Sequence, residues 1–180
     1  MNVMKLRLLA IGVCAALGGC ADEYETAAPP PPPPPVARPA PAFSPSEFAW
    51  SSERGSSTVR GLVDYSQGGR HYGCAGQVVL TPDAPYSRRR ILSLYGSTER
   101  ADLPVDEVRS RQAHRPSDDY SAYVKKQSCD ATGHFSFAGL PAGGWFVIVV
   151  VQPPAGNSPA LALMRRVETR PGSVRTIVLQ

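Results

Sequence analysis

Apolar and polar positions change rhythm several times along this chain, and each change marks an element. The first twenty residues, MNVMKLRLLAIGVCAALGGC, begin with a short basic start and continue as an apolar run over 8–17. That run is too short to cross a bilayer as a helix and has the proportions of a secretory h-region. The rhythm then vanishes. Seven consecutive prolines occupy 29–35, followed by Pro39, Pro41 and Pro45. Each fixes its own φ and removes a backbone donor, so the segment is predicted to be a disordered, solvated linker of polyproline II character. At roughly 3.1 Å per residue it would hold the remainder of the chain some tens of ångströms from its attachment point.

From about Phe48 the alternation expected of strands begins. STVRGLVDY over 57–65 predicts a first strand, SQGGRH a loose turn, and GQVVLTP over 76–82 a second strand ended by proline. SRRRILSLYG over 87–96 predicts a short helix with Ser87 as cap, Ile91, Leu94 and Tyr95 on one face, and Gly96 as stop. Residues 97–119 show no period and little to bury, which predicts a long polar excursion continuing the insertion that starts at Ala84. A strand is expected over 120–128.

The clearest stretch is CDATGHFSFAGLPAGGWFVIVVV, over 129–151. Asp130 and Gly133 suit a tight turn, the first by bonding the backbone ahead of it and the second by accepting positive φ. In HFSF, Phe135 and Phe137 fall on one face and His134 and Ser136 on the other. GLPAGG makes a corner, and WFVIVVV over 145–151 is apolar on both faces, as in the middle of a layered structure. LALMRRVETR and SVRTIVLQ supply two closing strands around an Arg170-Pro171-Gly172 turn. The pattern predicts an all-β fold.

This sequence of elements resembles the carboxypeptidase regulatory-like domain, a prealbumin-like (Ig-like) β-sandwich related in fold to transthyretin. The likeness is carried by the early V-x-G from Val59 to Gly61, by DATGHFSFAGLPAGGWFVIVV, and by the terminal GSVRTIVL. It covers 56–179, with the 84–119 insertion as a departure from the minimal module. The resemblance implies a binding or accessory module without its own active site, on a domain spanning 48–180.

Composition supports this picture. Nineteen prolines and sixteen glycines among 180 residues favour turns and linkers over a helical bundle. The formal charge is +4, but without Lys5 and Arg7 of the leader 17 basic residues face 15 acidic ones. That balance argues against nucleic acid, which needs a dense basic face.

The leader ends in LGGC, over 17–20, which resembles the lipobox of bacterial lipoproteins. The resemblance implies a signal peptide over 1–19 and a Cys20 carrying diacylglycerol and an acylated amino group, which anchors the linker over 20–47 in a membrane. Ala21 rather than aspartate comes after Cys20, and in enteric lipoproteins this favours the outer membrane. With Cys14 in the leader and Cys20 lipidated, Cys74 and Cys129 remain. Two thiols in an exported domain are expected to pair as a disulfide, and no histidine lies at finger spacing from either to suggest zinc.

Catalytic chemistry finds no foothold. His71, His114 and His134 are scattered, and no G-x-S-x-G, H-E-x-x-H or phosphate-binding glycine loop occurs. Intradiol dioxygenases share a similar turn but need an H-x-H after the WFVIVVV strand, where this chain has no histidine. Isopeptide-forming modules need a core lysine with Asn or Asp. Lys125 and Lys126 are adjacent on one strand, and the nearest asparagine, Asn157, falls in a loop. No cofactor and no metal are expected. Arg88, Arg89 and Arg90, flanked by Tyr86 and Tyr95, could meet an anionic headgroup or polymer. Two functions fit these features: an envelope lipoprotein whose sandwich binds a protein or glycan partner, or a carrier holding a small ligand between the sheet and the 84–119 excursion.

Overall fold

A computed structural model describes residues 43–113, 120–154 and 158–180 of the chain. Cys20, the proline tract and residues 114–119 lie outside the described residues. Strands β1 (Ser57–Val63), β2 (Tyr65–Gln67), β3 (Arg70–Cys74) and β4 (Gln77–Pro82) precede helix α1 (Pro85–Tyr95). Strand β5 (Arg100–Pro104), helix α2 (Val105–Ala113) and strand β6 (Lys125–Ser128) come next. The chain closes with β7 (His134–Leu140), β8 (Gly143–Gln152), β9 (Leu161–Thr169) and β10 (Val174–Leu179).

These strands form two sheets. The smaller has the order β10-β1-β7, with β1 parallel to β10 and antiparallel to β7. The larger is built on β8, which carries β9 and then β5 on one side. Its other side is shared by β3, with β2 beyond it, and β4, with β6 beyond it. Alternation decides what each strand buries. Val59 and Val63 of β1, Phe135 and Phe137 of β7 and Leu179 of β10 meet Val78, Leu80, Trp145, Val147, Val149 and Val151 of the larger sheet in one core. The other face of β8 presents Phe146 and Ile148, which pack with Ala162 and Met164 under Ile91, Leu94 and Val108 of the helices. This second core explains why WFVIVVV is apolar on both faces. The architecture is therefore mostly β and sandwich-like, with a helical layer on the outer face of the larger sheet.

Several expectations are corrected by this architecture. SQGGRH is a two-residue hairpin joining β2 to β3, because Gly68 (φ 58°) and Gly69 (φ 74°) both supply the positive φ that such turns need. The helix is real and stops at Gly96, whose φ is 72° and whose N–H donates to the Leu92 carbonyl at 2.8 Å. Its start, however, is Pro85 and not Ser87. The Ser87 hydroxyl lies inside the first turn, accepting from the Ala84 N–H at 2.9 Å and donating to the Pro82 carbonyl.

The polar excursion is ordered over most of its length: β5 pairs along β9 and α2 packs beside α1. Its period is weak because β5 fully buries no residue and α2 buries only Val108. Within 120–128 only Lys125–Ser128 is strand, preceded by a 3-10 turn over Ser121–Tyr123.

The end of the supposed linker is also part of the domain. Phe48 is fully buried, with ring centroids 5.6 Å from Phe43, 5.1 Å from Tyr123 and 5.7 Å from Tyr120. Glu47 accepts from the Tyr86 N–H at 3.0 Å, so a carboxylate from this lead-in segment satisfies an orphan donor at the α1 N-terminus. The packed unit thus begins ahead of position 48, because Phe43 and Glu47 are needed to complete this corner.

Candidate functional site: a polar cleft at the β6–β7 edge

The DATG turn folds as its residues dictate. Asp130 Oδ1 accepts from the Thr132 N–H (2.9 Å), the Thr132 hydroxyl (2.7 Å) and the His134 N–H (2.9 Å). Gly133 takes φ 83°, and a Cβ there would meet the Val63 carbonyl oxygen at 2.8 Å. The Thr132 hydroxyl bond, then the His134 backbone bond, hold the Asp130 carboxyl below its usual value. Just before the turn, Cys129 is bridged to Cys74 at the end of β3, with Cα atoms 6.4 Å apart. The bridge ties the turn to the larger sheet across the mouth of the sandwich.

The V-x-G of β1 also acquires a physical reason. Gly61 pairs with Phe135, and a Cβ at Gly61 would lie 1.9 Å from Cζ of that ring. Only glycine leaves Phe135 room to lie across β1. Meanwhile several outward residues of the same strands are polar. Arg60 pairs with Ser136, and His134 lies one pleat along. With Gln127 of β6 and Asp130 they line an open cleft of about 450 Å³, floored in part by Phe135 and Gly61. A second hollow of about 270 Å³, lined by His71, Tyr72 and Thr132 among others, lies on the other flank of the same turn.

Chemically the cleft offers hydrogen-bond donors and acceptors held on strands, and no activated nucleophile. The Thr132 hydroxyl, 2.9 Å from His134 Nδ1, is spent on the Asp130 turn. His71 lies 3.7 Å from Asp64 at the exposed rim of the second hollow. Among the described residues no His, Cys, Asp and Glu group has the arrangement of a metal site. Of the residues singled out from the sequence, Cys74, Cys129 and His134 come together here. Arg60 and Gln127 were not foreseen, because Arg60 joins Ser136 through the β1–β7 register and Gln127 comes from the edge of the other sheet.

The arginine run is placed elsewhere, on α1. Successive helical positions diverge by about 100°, and the three side chains do not form one surface. Arg88 pairs with Asp83, a carboxylate with 1% of its side chain exposed, which Arg166 also holds at 2.7 Å. Arg90 bonds the phenol of Tyr120. Lys125 sits 5.9 Å above the Trp145 ring.

No family model matches the chain, and no curated protein matches it. A solved structure shares its fold. It is a crystal structure of a Pseudomonas aeruginosa protein provisionally described as carbohydrate binding, with a TM-score of 0.54 and 18% sequence identity. The match covers 78% of this chain and 98% of that one. At that identity the likeness is one of fold.

Proposed function

We propose that this chain is a non-catalytic cell-envelope lipoprotein that displays a prealbumin-like β-sandwich of the carboxypeptidase regulatory-like kind, and that the sandwich binds a glycan in the β6–β7 cleft. The observation that carries this reading is the cleft itself. Arg60, Gln127, Asp130, His134 and Ser136 converge on an open, rigidly backed hollow, and such mixed donors and acceptors suit the paired hydroxyls of a sugar ring. Asp130 spends Oδ1 on its own turn, which leaves Oδ2 to accept from a ligand. The carbohydrate-binding description of the structural neighbour supports the same class of ligand. Lipidation of Cys20, the step from Ala21 to an outer-membrane address, and the proline-rich spacer rest on the sequence. Together they present the cleft to glycans of the envelope. The carrier alternative has less support, because Ile91, Leu94, Tyr95 and Val108 of the excursion pack directly on Phe146, Ala162 and Met164 of the sheet.

Calorimetric titration with soluble peptidoglycan fragments and lipopolysaccharide core oligosaccharides tests the reading. Gln127→Ala and Ser136→Trp should each weaken binding about tenfold or more, the first by losing a hydrogen bond and the second by filling the cleft. Unaltered affinity in both variants would exclude this cleft. Loss of metabolic palmitate labelling in Cys20→Ala is the companion check on the anchor.

A further inference from the structure

On the opposite edge of the sandwich the inward row of β9 contains an anomaly. Leu161, Leu163, Val167 and Thr169 are buried on that face, and Arg165 interrupts them. Directly opposite Arg165 on β5 stands Arg100, so two guanidinium groups occupy one cross-strand pair. Like charges so placed repel and destabilise a sheet. Arg175 enters from the smaller sheet: it alternates along β10 with Ile177 and Leu179, which pack into the core between the sheets. These three side chains line a groove of about 440 Å³.

Among the described residues no carboxylate pairs directly with these arginines; Asp102, which lines an adjoining hollow with Arg100 and Arg165, accepts from the Tyr65 hydroxyl. Arg165 Nη1 donates to the Val178 carbonyl at 3.2 Å, which fixes the side chain across the gap and leaves other N–H donors over. Among the described residues no carboxylate lies within 4.0 Å of the Arg100, Arg165 or Arg175 side chain. Glu99 and Glu168 also line the groove, but neither is within ion-pair distance of these three arginines.

We infer that Arg100, Arg165 and Arg175 form an oxyanion site between the sheets that takes a phosphate monoester. Forked guanidinium donors from two directions match the three outer oxygens of a phosphate dianion, and the anion removes the Arg100–Arg165 repulsion. The open groove, with Val167 and Ile177 in its wall, accommodates the group to which the phosphate is esterified. A sugar phosphate and a lipid headgroup share this chemistry. The site is separate from the β6–β7 cleft and stands whether or not that cleft binds a glycan.

The test uses the purified full chain at low ionic strength with three probes: inorganic phosphate, glucose 1-phosphate, and dihexanoylphosphatidic acid below its micellar concentration. Phosphorus NMR and thermal shift are the readouts. All three probes are expected to bind saturably and to be displaced by salt, whereas glucose alone leaves both readouts unchanged. Tighter binding of phosphatidic acid than of glucose 1-phosphate identifies a lipid source, and the reverse order a soluble one. Arg100→Gln and Arg175→Gln should each weaken binding at least about tenfold. Without ligand, Arg100→Gln should melt higher than the parent, since it removes an opposed like charge, which also shows that the variant folds. Absence of saturable binding by all three probes, or undiminished binding by the Arg100→Gln/Arg175→Gln double variant, would overturn the assignment.

Discussion

Two residues near the cleft show how little freedom the sequence leaves there. Gly61 is set by one ring: Phe135 lies where a Cβ would be, and Phe135 is itself held against Phe137 with centroids 6.1 Å apart. Gly61→Ala should therefore destabilise by roughly 1–3 kcal/mol through overpacking, measured by chemical denaturation, and by less in a Phe135→Leu background. A neutral Gly61→Ala would mean that the ring moves freely. Asp130 is set by hydrogen bonds. Its folded value lies below the ordinary 3.8, so its contribution to stability is present above that value and is lost as pH falls through the folded one. Thr132→Val removes the largest cause. An NMR titration of Asp130 should then show a midpoint shifted up toward 3.8, and the stability gap between the two proteins should close in acid. An identical midpoint in both would show that the Thr132 hydroxyl is not what lowers it.

At the scale of elements, the lead-in segment behaves as part of the sandwich. Phe48 is enclosed by Phe43, Tyr86, Tyr120 and Tyr123, and Trp50 packs edge-on against Trp145 at 5.0 Å. Phe48→Ala should cost about 3–5 kcal/mol, a loss visible as a lower denaturation midpoint; a surface-like cost under about 0.5 kcal/mol would return the segment to the linker. Whether an element was legible in the sequence depended on where its signal comes from. β1, β4, β7, β8, β9 and β10 carry their own alternation or apolar run, and α1 its own face and glycine stop, so all were legible. The strand β5 is held by its partner β9 rather than by buried side chains of its own, and α2 buries one residue, so neither leaves a period to read. The disulfide was legible from the cysteine count, together with the expectation of export. The cleft was legible only in its turn and in the face that His134 and Ser136 share, since Arg60 joins through the β1–β7 register and Gln127 from an edge strand of the other sheet.

At the scale of the molecule, the first strand of the domain pairs in parallel with the last, Thr58 opposite Val174 through Val63 opposite Leu179. Such a fold rests on contacts between distant parts of the chain, which are costly to gather from the unfolded state. The Cys74–Cys129 bridge, closing a separation of 55 residues, lowers that cost. In the chain-entropy picture it contributes about 4 kcal/mol, a large share of the roughly 5–15 kcal/mol available to a domain. The bridge also fixes the cleft, because among the described residues β6 is an edge strand paired only with β4 and Cys129 comes immediately after it. Reduction should therefore act twice. The melting temperature should fall by roughly 10–20 °C, and glycan affinity should weaken at temperatures where the reduced domain is still folded. A Cys74→Ala/Cys129→Ala variant should reproduce both effects without reductant. An unchanged melting temperature, or two free thiols in the native protein, would remove the bridge from this account and leave the β6 edge to be held by β4.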